Sequence, residues 1–80
     1  MALYFFHLRN GIDVLLDPDG RSLAMVGIAD VALSEARAII AADARGGQID
    51  LDQSIEVQDS RGDVVHRIAF EDAVKINRRG

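Results

Sequence analysis

Two histidines and thirteen acidic side chains are the groups through which this chain could do chemistry, since it has no cysteine to supply a thiolate nucleophile or metal ligand. His7 sits in the run "LYFFHLRNGIDVLL", residues 3 to 16, with Asp13 and Asp17 close behind it. An imidazole held on a strand near a carboxylate is what a general acid or base needs, and it is also the start of a metal site. His66 lies in "DVVHRIAF"; if the strands carrying the two histidines are neighbours, both rings can reach one ion. Two nitrogens make a poor zinc site, which asks for a third protein ligand and commonly a fourth, and no other residue has the spacing to supply one. His7 and His66 thus stand as candidate ligand or metal residues beside a plainer reading, in which each ring is part-buried and bonded to backbone or a carboxylate. No catalytic residue, metal or cofactor is assigned.

Three further motifs reduce to turns or surface. "DPDG", residues 17 to 20, begins like a calcium loop, but the fifth position would be Arg21 and the twelfth Ile28, where a bidentate glutamate is required. Its proline and glycine explain it as a turn. "RGD", residues 61 to 63, is accounted for by a glycine at a hairpin tip. Asp50 and Asp52, with Glu56 nearby, read as a solvated surface. There is no serine at a motif spacing from histidine, no glycine-rich phosphate loop and no basic stripe interleaved with aromatics.

The elements that must position these groups follow from periodicity. Residues 3 to 9 and 12 to 17 flank Asn10-Gly11, a strong two-residue hairpin signal, which predicts Arg9 opposite Ile12, His7 opposite Val14 and Phe5 opposite Leu16. Leu3, Phe5, His7, Arg9, Ile12, Val14 and Leu16 then share one sheet face, and Tyr4, Phe6, Leu8, Asp13, Leu15 and Asp17 the other. From about Leu23 to Arg45 the pattern is helical, with Val26, Ala29, Leu33, Ala36, Ile40 and Ala44 on a stripe that Met25, Ala32 and Ile39 widen. Ser22 and Asp30 are both candidate N-caps, and Gly46-Gly47 supplies the stop. "SIEVQD" and "DVVHRIAF" alternate with period two about "SRG". An even loop there opposes Asp59 to Val64, Val57 to His66, Glu56 to Arg67 and Ile55 to Ile68, collecting the apolar residues on one face. "EDAVKINRRG" makes a short helical turn and frays over about 77 to 80.

The expected architecture is one α+β domain over residues 1 to 80: hairpin, helix, hairpin (ββαββ), a four-stranded, largely antiparallel sheet with one main helix packed on one face. "YFFHLRNG", "EARAIIAAD" and "IEVQDSRGDVVHRIAFEDA" resemble a family of short bacterial proteins known only as a domain of unknown function. Its members open on Tyr-Phe-Phe-His and an Asp-Gly or Asn-Gly turn. They close on Ile-Glu-Val, a glycine turn and Phe-x-Asp-Ala. The resemblance implies the same order of hairpins and helix, and carries no activity, substrate or cofactor. It sets His66 where many relatives have an aliphatic residue, which implies a core-filling role, and Met25 and Gly27 depart from the more regular helix start of the relatives.

Size and charge bound the partners. Eighty residues bury only about 60% of their unfolded surface, and no disulfide is available to add stability. The net charge of −4 and a hydrophobic content of 49% describe an ordinary globular domain and disfavour nucleic acid. No signal peptide or membrane span is read, so the expected place is the cytoplasm. A single helix covers one sheet face, and the expected outer face of the first hairpin, Tyr4, Phe6, Leu8 and Leu15, is too apolar to leave in water. Two explanations compete: the C-terminal Ala73, Val74 and Ile76 fold back over it, or a second chain does; on the second, these four are the candidate interface, with a second copy in a homodimer or another protein as partner, no membrane, and no identifiable small molecule. The alternatives are a His7-centred metal-binding or catalytic protein using Asp13 or Asp17, and a nucleic-acid-linked regulator using the Arg78-Arg79 tail.

Overall fold

A computed structural model of the protein describes residues 1–78. Strand β1 (Ala2–Asn10) is followed by β2 (Asp13–Leu15), β3 (Arg21–Leu23), a 3-10 turn (Met25–Gly27), helix α1 (Ile28–Arg45), β4 (Gln53–Asp59), β5 (Val64–Ala69) and the one-turn helix α2 (Phe70–Ala73). The sheet is antiparallel throughout, in the order β2-β1-β4-β5, and β3 also pairs with β1. The α+β class and the single main helix hold, with five strands in place of the expected four. No helix among the described residues is long and apolar enough to cross a membrane. Residues 79 and 80, and with them part of the expected frayed tail, lie outside the described residues.

The first hairpin pairs two residues further round than expected. Asn10 lies opposite Asp13, Arg9 opposite Val14 and Leu8 opposite Leu15. The loop is therefore Gly11-Ile12, and only Gly11 is left-handed, at φ 62°, so that Asn10 keeps ordinary strand geometry. Glycine at the first central position is the demand of a type II′ turn, where Asn-Gly had suggested type I′. Because the shift is even, Val14 keeps the face of Arg9 and Leu15 that of Leu8, whereas Leu16, expected beside Phe5 and His7, lies past the end of β2 and turns to the side of Leu15.

Which face the helix covers is the reverse of the expectation. Tyr4 and Phe6 are buried with Ile55 and Val57 of β4 and with Ile28, Ala32, Ala36 and Ile40 of α1, and Leu8 packs against that cluster. The reason is β4: it pairs with β1 so that Leu8 lies opposite Ile55 and Phe6 opposite Val57, which joins the apolar residues of both strands on one face. Leu3, Phe5 and His7 take the other face. On α1 the buried stripe runs at four-residue intervals from Ile28, while Met25 and Val26, expected on it, are 73% and 90% exposed. The helix starts later than Leu23 because β3 claims residues 21 to 23, and Gly27 stands at its N-cap without side-chain help from Ser22 or Asp30. Ala32 and Ala36 are fully buried and let the helix lie close on the sheet. Gly47, at φ 88°, follows the Gly46 C-cap as expected.

In the second hairpin the expected pairs Ile55/Ile68, Glu56/Arg67 and Val57/His66 form. The ladder then slips by one residue, so that Gln58 rather than Asp59 meets Val64. The bulge frees Asp59 for the turn, where its carboxylate accepts the N–H groups of Arg61 and Asp63. Val64, expected inside, is half exposed for this reason. β5 leads into α2, whose Phe70 has no exposed surface and whose Ala73 carbonyl accepts from Arg37 of α1. Phe70→Ala removes the largest fully buried side chain and is expected to cost about 3–5 kcal/mol in urea unfolding, close to the whole stability of so small a domain.

Candidate functional site

The chemistry-bearing residues gather around the outer edge of β1. Between β2 and β3 the chain leaves that edge: Leu8 lies opposite Leu15 and Tyr4 opposite Arg21, so four steps along β1 correspond to six along its neighbour. The two extra residues are accommodated by Asp17-Pro18-Asp19-Gly20, which loops out and leaves the Phe6 N–H without a strand partner. Asp17 replaces that strand. One carboxylate oxygen accepts from Phe6 N–H at 3.1 Å, and the other accepts from Asp19 and Gly20 at 3.2 and 3.1 Å. Its own N–H donates to His7 Nδ1 at 3.0 Å. Gly20 is obligatory, since at φ 71° a Cβ would lie 2.9 Å from the Tyr4 carbonyl oxygen.

His7 is therefore an acceptor at Nδ1, a residue 8% exposed whose ring is stacked on Phe5 with centroids 6.3 Å apart and planes 13° from parallel. It faces Glu56 across the β1/β4 ladder. Glu56 is held by Arg9, at 2.9 and 3.3 Å, and by the Gln58 amide at 3.1 Å. The Gln58 bond above all, then the Arg9 bonds and the charges of Arg9 and Arg67, outweigh burial and keep the Glu56 carboxyl below its ordinary value. His66 sits opposite Val57 on the helix face, whereas His7 is on the other face, so the sheet separates the two imidazoles. The strand between them is β4, which is why the shared-ion arrangement does not form. Among the described residues no three His, Cys, Asp or Glu side chains converge in a way that could hold a metal ion. Asp13 pairs with Asn10 at the hairpin end, away from His7.

On the helix side of the same edge lies an open cleft of about 380 Å³. Phe6, Leu8, Ile39 and Ile55 form its apolar floor, and Leu15 and Leu16 stand at its wall, 70% and 67% exposed. Three of the four expected interface residues, Phe6, Leu8 and Leu15, thus line one surface, although Phe6 is nearly buried. Tyr4, 4% exposed, belongs wholly to the core and is withdrawn from the interface. The rim carries Asp17, Asp19 and Glu35 against a single cation, Arg21, which pairs with Glu35 and lies 5.6 Å over the Phe6 ring. Ile39, Leu16 and Asp19 were not singled out from the sequence as site residues. The period of the helix could have suggested Ile39, but the looping-out of residues 16 to 20 has no local signature beyond its turn residues.

Fold and cleft together define a small α+β domain with an acidic-rimmed apolar groove beside its first hairpin. The chain belongs to the family described as Domain of unknown function (DUF6894), which it matches over residues 3–71, from β1 into α2. No curated protein and no solved structure matches it.

Burial pushes the Asp17 carboxyl up, but the N–H groups of Phe6, Gly20 and Asp19 and the neighbouring His7 outweigh it and hold the group below its ordinary 3.8. A depressed carboxyl contributes stability that is complete above the unfolded value and is lost as pH falls through the folded one. Asp17→Asn is accordingly expected to destabilise the protein by about 1–2 kcal/mol at neutral pH. In urea titrations the difference from wild type should shrink as pH is taken below 3.8, because the wild-type carboxylate is then protonated too. Gly20→Ala should cost at least as much and show no such pH dependence, through strain at positive φ and the clash with Tyr4.

Proposed function

We propose that the protein is a non-catalytic interaction module of the cytoplasm that self-associates through its first hairpin. The observation that carries this reading is the cleft beside β2, an apolar floor bordered by two leucines that remain 70% and 67% exposed. Ile12 at the tip of the same hairpin is 99% exposed, which extends the apolar strip. Exposed apolar side chains contiguous with an apolar groove are the kind of surface that marks an interface.

The His7-centred alternative has less support. His7 Nδ1 is engaged by the loop, Glu56 is engaged by Arg9 and Gln58, and each of these bonds has a structural use. The nucleic-acid alternative rested on Arg78-Arg79; Arg79 lies outside the described residues, and the net charge of −4 works against it.

Sedimentation equilibrium at micromolar concentration tests the proposal. The wild type is expected at twice its chain mass of 8.7 kDa. Leu16→Asp, at an exposed position, should give a monomer with an unchanged circular dichroism spectrum. A wild type that stays monomeric under these conditions sinks the reading.

A further inference from the structure

The rim of the cleft is acidic: Asp17, Asp19 and Glu35 face one guanidinium, and that guanidinium is already paired with Glu35. Two such rims brought face to face repel each other. If the cleft mediates self-association, its occupant in the second copy must therefore be an apolar segment flanked by cations. Val64 and Val65, exposed between Arg61 and Arg67, are one such segment, but Asp63 lies within it and β5 is already paired with β4; the segment after α2 carries no acid and is paired with no strand. After α2 the backbone turns extended at Val74, with φ −136° and ψ 157°, and residues 75 to 78 read Lys-Ile-Asn-Arg. Lys75 and Arg78 are exposed, and Ile76 between them is 68% exposed, an isolated β-branched side chain with no core to enter.

We propose that the cleft of one copy receives the Val74–Arg78 segment of a second, with Ile76 on the Leu8, Ile39 and Ile55 floor between Leu15 and Leu16, and Lys75 and Arg78 toward Asp19 and the rest of the acidic rim. This rests on the self-association proposed above and names the element that performs it. Three features of the two surfaces fit together. The segment is already extended as it leaves α2, so seating it requires little reordering. The cleft borders β2, an end strand of the sheet, whose free edge can pair with extended backbone. The charges match in sign, two cations against an acid-rich rim. A two-fold axis makes the exchange reciprocal, two equal contacts closing one dimer. Each contact is small, which places the dissociation constant on the order of micromolar.

The test uses the full chain. In a sample mixing isotope-labelled and unlabelled protein, filtered NOEs should connect the Ile76 methyl groups to Leu16 and Ile39 of the other copy. Ile76→Asp should weaken association about tenfold or more, since it sets a charge against the apolar floor. The double variant Lys75→Glu, Arg78→Glu should weaken it comparably and lessen its salt dependence. All three positions are exposed, so neither variant disturbs the fold. A dimer whose affinity survives both variants and which shows no such NOEs overturns the tail assignment and leaves the association reading standing. NOEs that arise only within one chain, with Ile76 folded into its own cleft, also overturn it. A monomer without these contacts overturns both.

Discussion

The carboxylate of Asp17 holds together an edge that backbone pairing alone would leave broken. β1 is nine residues long, and on its outer side it is matched by two three-residue strands that are out of step by two. A buried N–H without a partner costs about 1–3 kcal/mol, and the gap exposes one at Phe6, in the middle of the core-facing strand. Asp17 supplies the missing acceptor, and the same side chain shapes the turn that carries it by accepting from Asp19 and Gly20. The position of Leu15 and Leu16 at the wall of the cleft is thus decided by how residues 16 to 20 leave the sheet. So is the burial of His7, whose ring accepts the Asp17 N–H.

The face of the sheet away from α1 is kept in order by polar contacts rather than by a second layer. Ser54 and Glu56 are buried there although no helix covers them, and Glu56 sits under Arg9 and Gln58 with Arg67 opposite. Long charged side chains laid along a sheet cover it with their stems while keeping their heads in water. No buried side-chain nitrogen or oxygen among the described residues lacks a partner, as a polar network must manage to avoid being a liability. Removing Arg9 would leave the buried Glu56 carboxylate without its salt bridge.

The parts of this fold that were legible in the sequence are those set by local period and turn chemistry. The body and glycine stop of helix α1, though not its start, and the register of β4 against β5 as far as Val57 follow from spacing alone. The choice of buried face on β1 does not, because Leu3 and Phe5 on one side are as apolar as Tyr4 and Phe6 on the other. Only the long-range partner β4, with Ile55 and Val57 on one face and Glu56 and Gln58 on the other, separates them. Strand β3 was missed for a related reason. "RSL" has no alternation long enough to read, and it becomes a strand only because the far end of β1 offers free backbone. At the candidate site the cleft floor was half visible as Phe6, Leu8 and Leu15, whereas Ile39, Ile55 and the acidic rim are brought there by packing.

Why the cleft should lie at β2 follows from what one helix can cover. Strands are spaced by about 4.8 Å and helices are about 10 Å across, so α1 covers two strands well and a third in part. Here α1 and α2 both pack toward β4 and β5, the end of the sheet from which the chain enters its last helix. Cover on β1 comes from the reach of Tyr4 and Phe6 beneath the helix, and β2 stays exposed along its length. Uncovered edge strands are ordinarily polar. β2 instead carries Val14 and Leu15 and leads into Leu16, all exposed. Their exposure therefore follows from a sheet that is wider than the helix layer laid on it.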